Sequence, residues 1–133
     1  MIMEGASTAV GPDRALRIGD LMREAHATAT PDTTADDARR LLREAPIGYL
    51  PVIEHGLLVG IVSDGDLRAA PRPSAPIATV MTRAVFVLSP ETPLSDAARV
   101  FRQRGFGALP VLRGRQLCGM VSRDDVLTAR TQV

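Results

Sequence analysis

The chain repeats itself, and this limits its folds more than any other feature. Residues 20–68 align without a gap with residues 79–127, at a constant offset of 59 residues, as from Met22 to Met81. Roughly a third of the aligned positions are identical, far above chance for unrelated segments. The anchor pairs are Met22 with Met81, Pro31 with Pro90, Asp37-Ala38 with Asp96-Ala97, and Gly48 with Gly107. Leu50-Pro51-Val52 then matches Leu109-Pro110-Val111, Gly60 matches Gly119, Val62-Ser63 matches Val121-Ser122, and Asp66 matches Asp125.

Each copy reads as β-α-β-β-α. A short extended piece comes first, at residues 27–29 and 85–88. A helix follows, with apolar stripes at Ala35, Ala38, Leu41, Leu42, Ala45 and at Leu94, Ala97, Ala98, Phe101. In the second copy Thr92 fits the N-cap and Pro93 the first helical position, where its missing N–H costs nothing. Gly48, Gly105 and Gly107 end the two patterns. Two hairpins come next, residues 49–53 with 57–62 and residues 108–112 with 116–121, each closed by a short glycine-bearing turn. A second helix is expected to begin at Ser63 and at Ser122. Three prolines in residues 71–76 make a semi-rigid spacer between the copies. One such unit cannot cover both faces of its sheet, so an α/β fold is expected in which the two motifs pack under a pseudo-twofold axis as one domain. The expected divisions are an N-terminal flexible segment (1–16), motif 1 (17–70), the linker (71–76), motif 2 (77–130) and a tail (131–133).

Composition excludes several function classes. The chain has 133 residues, 16 basic against 15 acidic, so it lacks the basic excess of a nucleic-acid binder. Its aromatic residues are few (Tyr49, Phe86, Phe101, Phe106), too sparse for a base-stacking platform. Arg39, Arg40, Arg43, Arg99, Arg102 and Arg104 read as a solvated helix face with local ion pairs, such as Arg40 with Asp36 or Asp37. Cys118 is the one cysteine and reads as a small buried hydrophobe. No apolar run nears the ~20 residues needed to span a bilayer, and no secretion signal is visible, so a cytoplasmic location is the default expectation. His26 and His55 stand in unlike contexts. No nucleophile elbow, phosphate loop or metal-spaced His/Cys set occurs, so neither an enzyme nor a metal site nor a bound cofactor is expected. Asp64-Gly65-Asp66 lacks the further ligands of a calcium loop.

The candidate chemistry lies in Gly60-Ile61-Val62-Ser63-Asp64-Gly65-Asp66 and Gly119-Met120-Val121-Ser122-Arg123-Asp124-Asp125. Each puts a serine at a strand-to-helix junction with an aspartate three residues on. A helix N-terminus favours phosphate, and a carboxylate can accept both hydroxyls of a ribose diol. Ser-x-x-Asp is equally a capping box that satisfies the helix's own amides with no ligand at all.

The order Met81-Thr82, Pro-x-Thr with a following Asp-Ala, Leu-Pro-Val, then Gly-Ile-Val-Ser-x-x-Asp, present twice, resembles the cystathionine-β-synthase-type (CBS) motif. The resemblance covers nearly all of the chain after residue 17. It implies paired motifs, often dimeric, that bind AMP, ADP, ATP or S-adenosylmethionine, and thus a non-catalytic regulatory module acting on a separate effector protein. A ligand-free dimeric scaffold or interaction module is the alternative. By the same resemblance one cleft would combine Ser63 and Asp66 with Val85, Phe86, Phe106, Gly107, Ala108 and Pro110. The other would combine Ser122, Arg123 and Asp125 with His26, Ala27, Ile47, Gly48, Tyr49 and Pro51. Asp64 beside Ser63 would repel a phosphate and Arg123 beside Ser122 would attract one, so the Ser122 site is expected to be the better nucleotide site.

Overall fold

The computed structural model describes residues 2–3, 16–45 and 47–132. The expected N-terminal segment therefore lies largely outside the described residues. The chain forms two compact units that do not follow the repeat boundaries. Unit 1 joins the residues up to Glu24 to those from Phe86 onward, and unit 2 runs from Ala25 to Val85.

In unit 2, helix α2 (Ala35–Glu44) is capped by Thr34, whose side chain accepts from the Asp37 amide. Asp36 and Asp37 lie in its first turn and Arg43 in its last, each at the end where the helix dipole favours its charge. Arg40 reaches both Asp36 (2.8 Å) and Asp37 (2.7 Å), the ion pairs expected from the spacing. The hairpin of β2 (Tyr49–Glu54) and β3 (Leu57–Ser63) pairs antiparallel, and Ala29 joins it in parallel beside Val52. Leu50, Val52 and Val62 point into a core completed by Ala35, Ala38, Leu67 and Ile77. Helix α3 (Asp64–Arg68) follows β3.

Residues 71–76 are more than the spacer that the prolines suggest. The Pro73 and Ala75 carbonyls accept from the Asp36 and Ala35 amides (3.0 and 2.8 Å), two of the donors that a helix start leaves unpaired. Ala75 is buried. The chain then turns through a 3₁₀ segment (Ile77–Thr79), and Thr82 pairs with Ile61 on the outer edge of β3, amide to carbonyl in both directions at 2.9 Å. The opening segment of the second repeat is thus built into the unit that holds the hairpin of the first.

Unit 1 shows the reciprocal arrangement. Short helix α1 (Ile18–Leu21) and the residues around it belong to the first repeat but pack with the second. The Leu16 carbonyl accepts from the Leu94 amide (3.0 Å) at the start of α4 (Leu94–Gln103). Arg23 pairs with Met120 in both directions at 2.8 Å. The sheet runs β1 (Ile2–Met3), β4 (Val87–Leu88), β5 (Ala108–Arg113), β6 (Gln116–Ser122), with α5 (Arg123–Gln132) following. Its core gathers Ile18, Leu88, Phe101, Leu109, Val111, Val121 and Val126.

The expected N-cap of α4 is corrected by one residue. Pro93 takes the cap position, and the Thr92 hydroxyl instead accepts from the Ser89 amide (3.1 Å). Thr33 does the same for Thr30 (3.0 Å) in the first repeat, so Thr92 belongs to the preceding turn and not to the helix. Cys118 is half-buried, and its thiol donates to the Val111 carbonyl at 3.3 Å. Burial pushes its pKa up, as expected of a structural rather than a reactive thiol.

Candidate functional site

Both Ser-x-x-Asp motifs sit where a strand runs directly into a helix, but their side chains are used differently. In unit 2 the capping box is complete. The Ser63 hydroxyl accepts from the Asp66 amide (3.2 Å), and the Asp66 carboxylate accepts from the Ser63 amide (3.0 Å). Asp64 is held by Arg68 at 2.7 Å on the exposed side of the same helix.

In unit 1 only half of the box forms. The Ser122 hydroxyl accepts from the Asp125 amide at 3.0 Å. The Asp125 carboxylate turns instead to Arg23, which approaches it with both forks of its guanidinium, Nε to Oδ2 at 2.9 Å and Nη2 to Oδ1 at 3.2 Å. The Arg23 hydrogen bond holds the Asp125 carboxyl below the usual carboxylate range, against an opposing push from partial burial. The same bond raises the Arg23 guanidinium. Arg123, expected to face a phosphate, donates to the Phe101 carbonyl near the end of α4. The guanidinium at the carboxylate is therefore that of Arg23, which sequence reading did not single out. The only hint was its repeat partner: Arg23 stands where the second copy has Thr82.

The structure brings several expected residues together within each unit. In unit 1 Ser122 pairs across the hairpin with Ala108, and the Arg123 amide donates to the Gly107 carbonyl at 2.9 Å. Pro110 lies opposite Met120. Phe86 and Phe106 make a tilted ring pair 5.6 Å apart, and the Arg104 guanidinium lies 5.6 Å over the Phe86 ring. In unit 2 Tyr49 pairs with Ser63 and Pro51 with Ile61, and Gly48 precedes this strand end. His26, Ala27, Ile47 and Val85 also belong to unit 2. Each of the two residue sets expected from the resemblance thus draws on both units. The serine ends of the two hairpins, by contrast, are each assembled within one unit.

Among the described residues no cluster of His, Cys, Asp and Glu is spaced to hold a metal ion. Among the same residues no helix is long and apolar enough to cross a membrane.

Comparison with known proteins agrees with this architecture. The CBS domain family model matches residues 18–72 and again residues 77–131. A curated protein of Methanocaldococcus jannaschii, MJ0188, is 29% identical over 120 residues, which cover 88% of this chain and 45% of that one. Among solved structures, the Arabidopsis thaliana CBS-pair protein CBSX2 in complex with AMP is 33% identical, with a TM-score of 0.77 over 88% of this chain and 97% of that one. The cytosolic domain of the Mg2+ channel MgtE in complex with ATP is 30% identical, with a TM-score of 0.76 over 85% of this chain and 48% of that one. The chain thus spans about half the length of the curated relative and of the channel domain. Two family matches in tandem, on an α/β fold shared with known CBS pairs, place this chain in the CBS domain family.

Proposed function

We propose that this chain is a non-catalytic regulatory module that binds an adenosyl ligand at the junction of β6 and α5. The single observation that carries this reading is the half-formed capping box. Asp125 is turned away from its own helix and holds its two oxygens side by side toward a guanidinium, the arrangement that a ribose diol also needs. The N-terminal end of α5 carries the partial positive charge of the helix dipole, which favours a phosphate there. The likeness to CBS pairs solved with AMP and with ATP supports adenosyl ligands over other nucleotides. The Ser63–Asp66 end is the weaker candidate, because the partner of its carboxylate is a fixed backbone amide of its own helix, whereas the partner of Asp125 is an exposed side chain that can swing aside. That closed box favours a purely structural role for the motif in unit 2. A homodimer acting on a separate effector protein completes the proposal.

Titration calorimetry with AMP, ADP, ATP and S-adenosylmethionine tests it. At least one compound is expected to bind, and Asp125→Ala is expected to abolish most of that binding while Asp66→Ala leaves it largely intact. A thermal-shift series gives a second reading, since a ligand at 100 times its Kd adds about 2.7 kcal/mol of stability. A flat response to every adenosyl compound would leave the scaffold reading standing in its place.

A further inference from the structure

We infer that Arg23 makes the Ser122–Asp125 site selective for phosphorylated adenosyl ligands over those that lack a phosphate. The inference rests on the adenosyl-binding reading above and adds a ligand class and a residue to it.

Three observations lead there. First, both Asp125 oxygens are engaged by Arg23. A ribose diol that approaches those oxygens from the same side competes with the guanidinium, so every adenosyl ligand meets the same competitor. Second, the displacement is local. The Arg23 backbone is fixed to Met120 by two reciprocal hydrogen bonds of 2.8 Å, while its side chain is 55% exposed and free to change rotamer. An exposed ion pair of this kind is weak enough to exchange for another partner. Third, the other nearby guanidinium is already used, because Arg123 donates to the Phe101 carbonyl. Arg23 is therefore the cation that becomes available when a diol takes Asp125. A phosphate beside the ribose supplies the anion that Arg23 has just lost, and the planar fork matches it as well as it matched the carboxylate. Adenosine offers no such replacement. S-adenosylmethionine puts a sulfonium, a like charge, where AMP has its phosphate, and its carboxylate lies three carbons farther from the ribose. Unit 2 contains its own comparison: Thr82 occupies the repeat position of Arg23, and there the aspartate caps its helix instead.

The test is calorimetry with AMP, adenosine and S-adenosylmethionine on the wild-type chain, Arg23→Ala and Arg23→Lys, with circular dichroism to confirm that each variant is folded. The wild type is expected to prefer AMP. Arg23→Ala is expected to weaken AMP about tenfold, the usual worth of a charge-assisted contact, while leaving adenosine unchanged or tighter. Arg23→Lys, which keeps the charge but not the fork, is expected to fall between. An unchanged ratio of AMP to adenosine affinity in Arg23→Ala, or an equal loss of both, would overturn the selectivity role and leave the adenosyl site standing. A wild-type chain that binds none of the three, nor ADP or ATP, would overturn the site itself and this inference with it.

Discussion

At the scale of single residues, the two copies are alike in sequence and unlike in use. Ser63, Asp66, Ser122 and Asp125 could be found by aligning the repeats, since a serine at a strand end with an aspartate three residues on has few uses. Their divergence could not be read in the same way. Whether a carboxylate caps its own helix or meets a side chain from a distant segment depends on tertiary contacts, and Arg23 lies 102 positions from Asp125 in the chain. The pair makes a prediction about pH. Because the folded pKa of Asp125 lies below its unfolded value, ordinarily about 3.9, the pair contributes to stability above that value. The contribution is lost as the pH falls through the lower, folded pKa. An NMR titration of the Asp125 carboxyl is expected to show a midpoint below the ordinary range, and Arg23→Ala is expected to move it upward. A midpoint that does not move in the variant would show that Arg23 does not hold this carboxylate in solution.

At the scale of elements, helices and hairpins were legible because their patterns are local. The stripe spacing located α2 and α4, and the alternating runs located both hairpins to within a residue of their ends. The start of α4 was misplaced by one residue, because threonine followed by proline suits a cap and a turn equally well. The paired glycines Gly60 and Gly119 acquire a physical role only in the structure. A Cβ at Gly60 would come within 2.9 Å of the Thr82 carbonyl oxygen and of the Met81 sulfur. A Cβ at Gly119 would come within 2.9 Å of the Arg23 carbonyl oxygen. Both glycines let a segment from the other repeat lie flat against the last strand of the hairpin. Gly60→Ala and Gly119→Ala are each expected to destabilise the chain by about 1–3 kcal/mol, as overpacking commonly does. Urea unfolding measures the loss, and a variant as stable as the wild type would mean that the segment can shift aside at no cost. Ser63→Ala removes one half of the complete capping box and is expected to cost about 1 kcal/mol in the same assay.

At the scale of the whole molecule, the repeat suggests motifs at 17–70 and 77–130, whereas the compact units exchange the leading segments of those motifs. The reason is intrinsic to duplication. When two segments are alike, the piece preceding one repeat fits either hairpin, and no sequence pattern tells pairing within a repeat from pairing between repeats. The structure resolves this by exchange: Leu16 to Arg23 complete unit 1, and Ala75 to Thr82 complete unit 2. Ile18 and Ile77 carry the exchange into the two cores, where both are fully buried. Cutting the chain between Ser74 and Ala75 therefore does not release two finished domains. The N-terminal fragment keeps the hairpin of unit 2 but loses Ala75, whose carbonyl meets the first amide of α2, and loses the Ile77 side chain from its core. The C-terminal fragment keeps the hairpin of unit 1 but loses Ile18 and the Arg23 edge pairing. Removing a buried isoleucine from a core costs about 2–5 kcal/mol even by truncation to alanine, a large part of the stability of a domain this small. Each fragment alone is expected to give the poorly dispersed NMR spectrum of an unfolded chain, and an equimolar mixture is expected to recover the dispersion of the intact protein. Two fragments that fold separately would show that the leading segments are dispensable, and that the exchange decorates the units without building them.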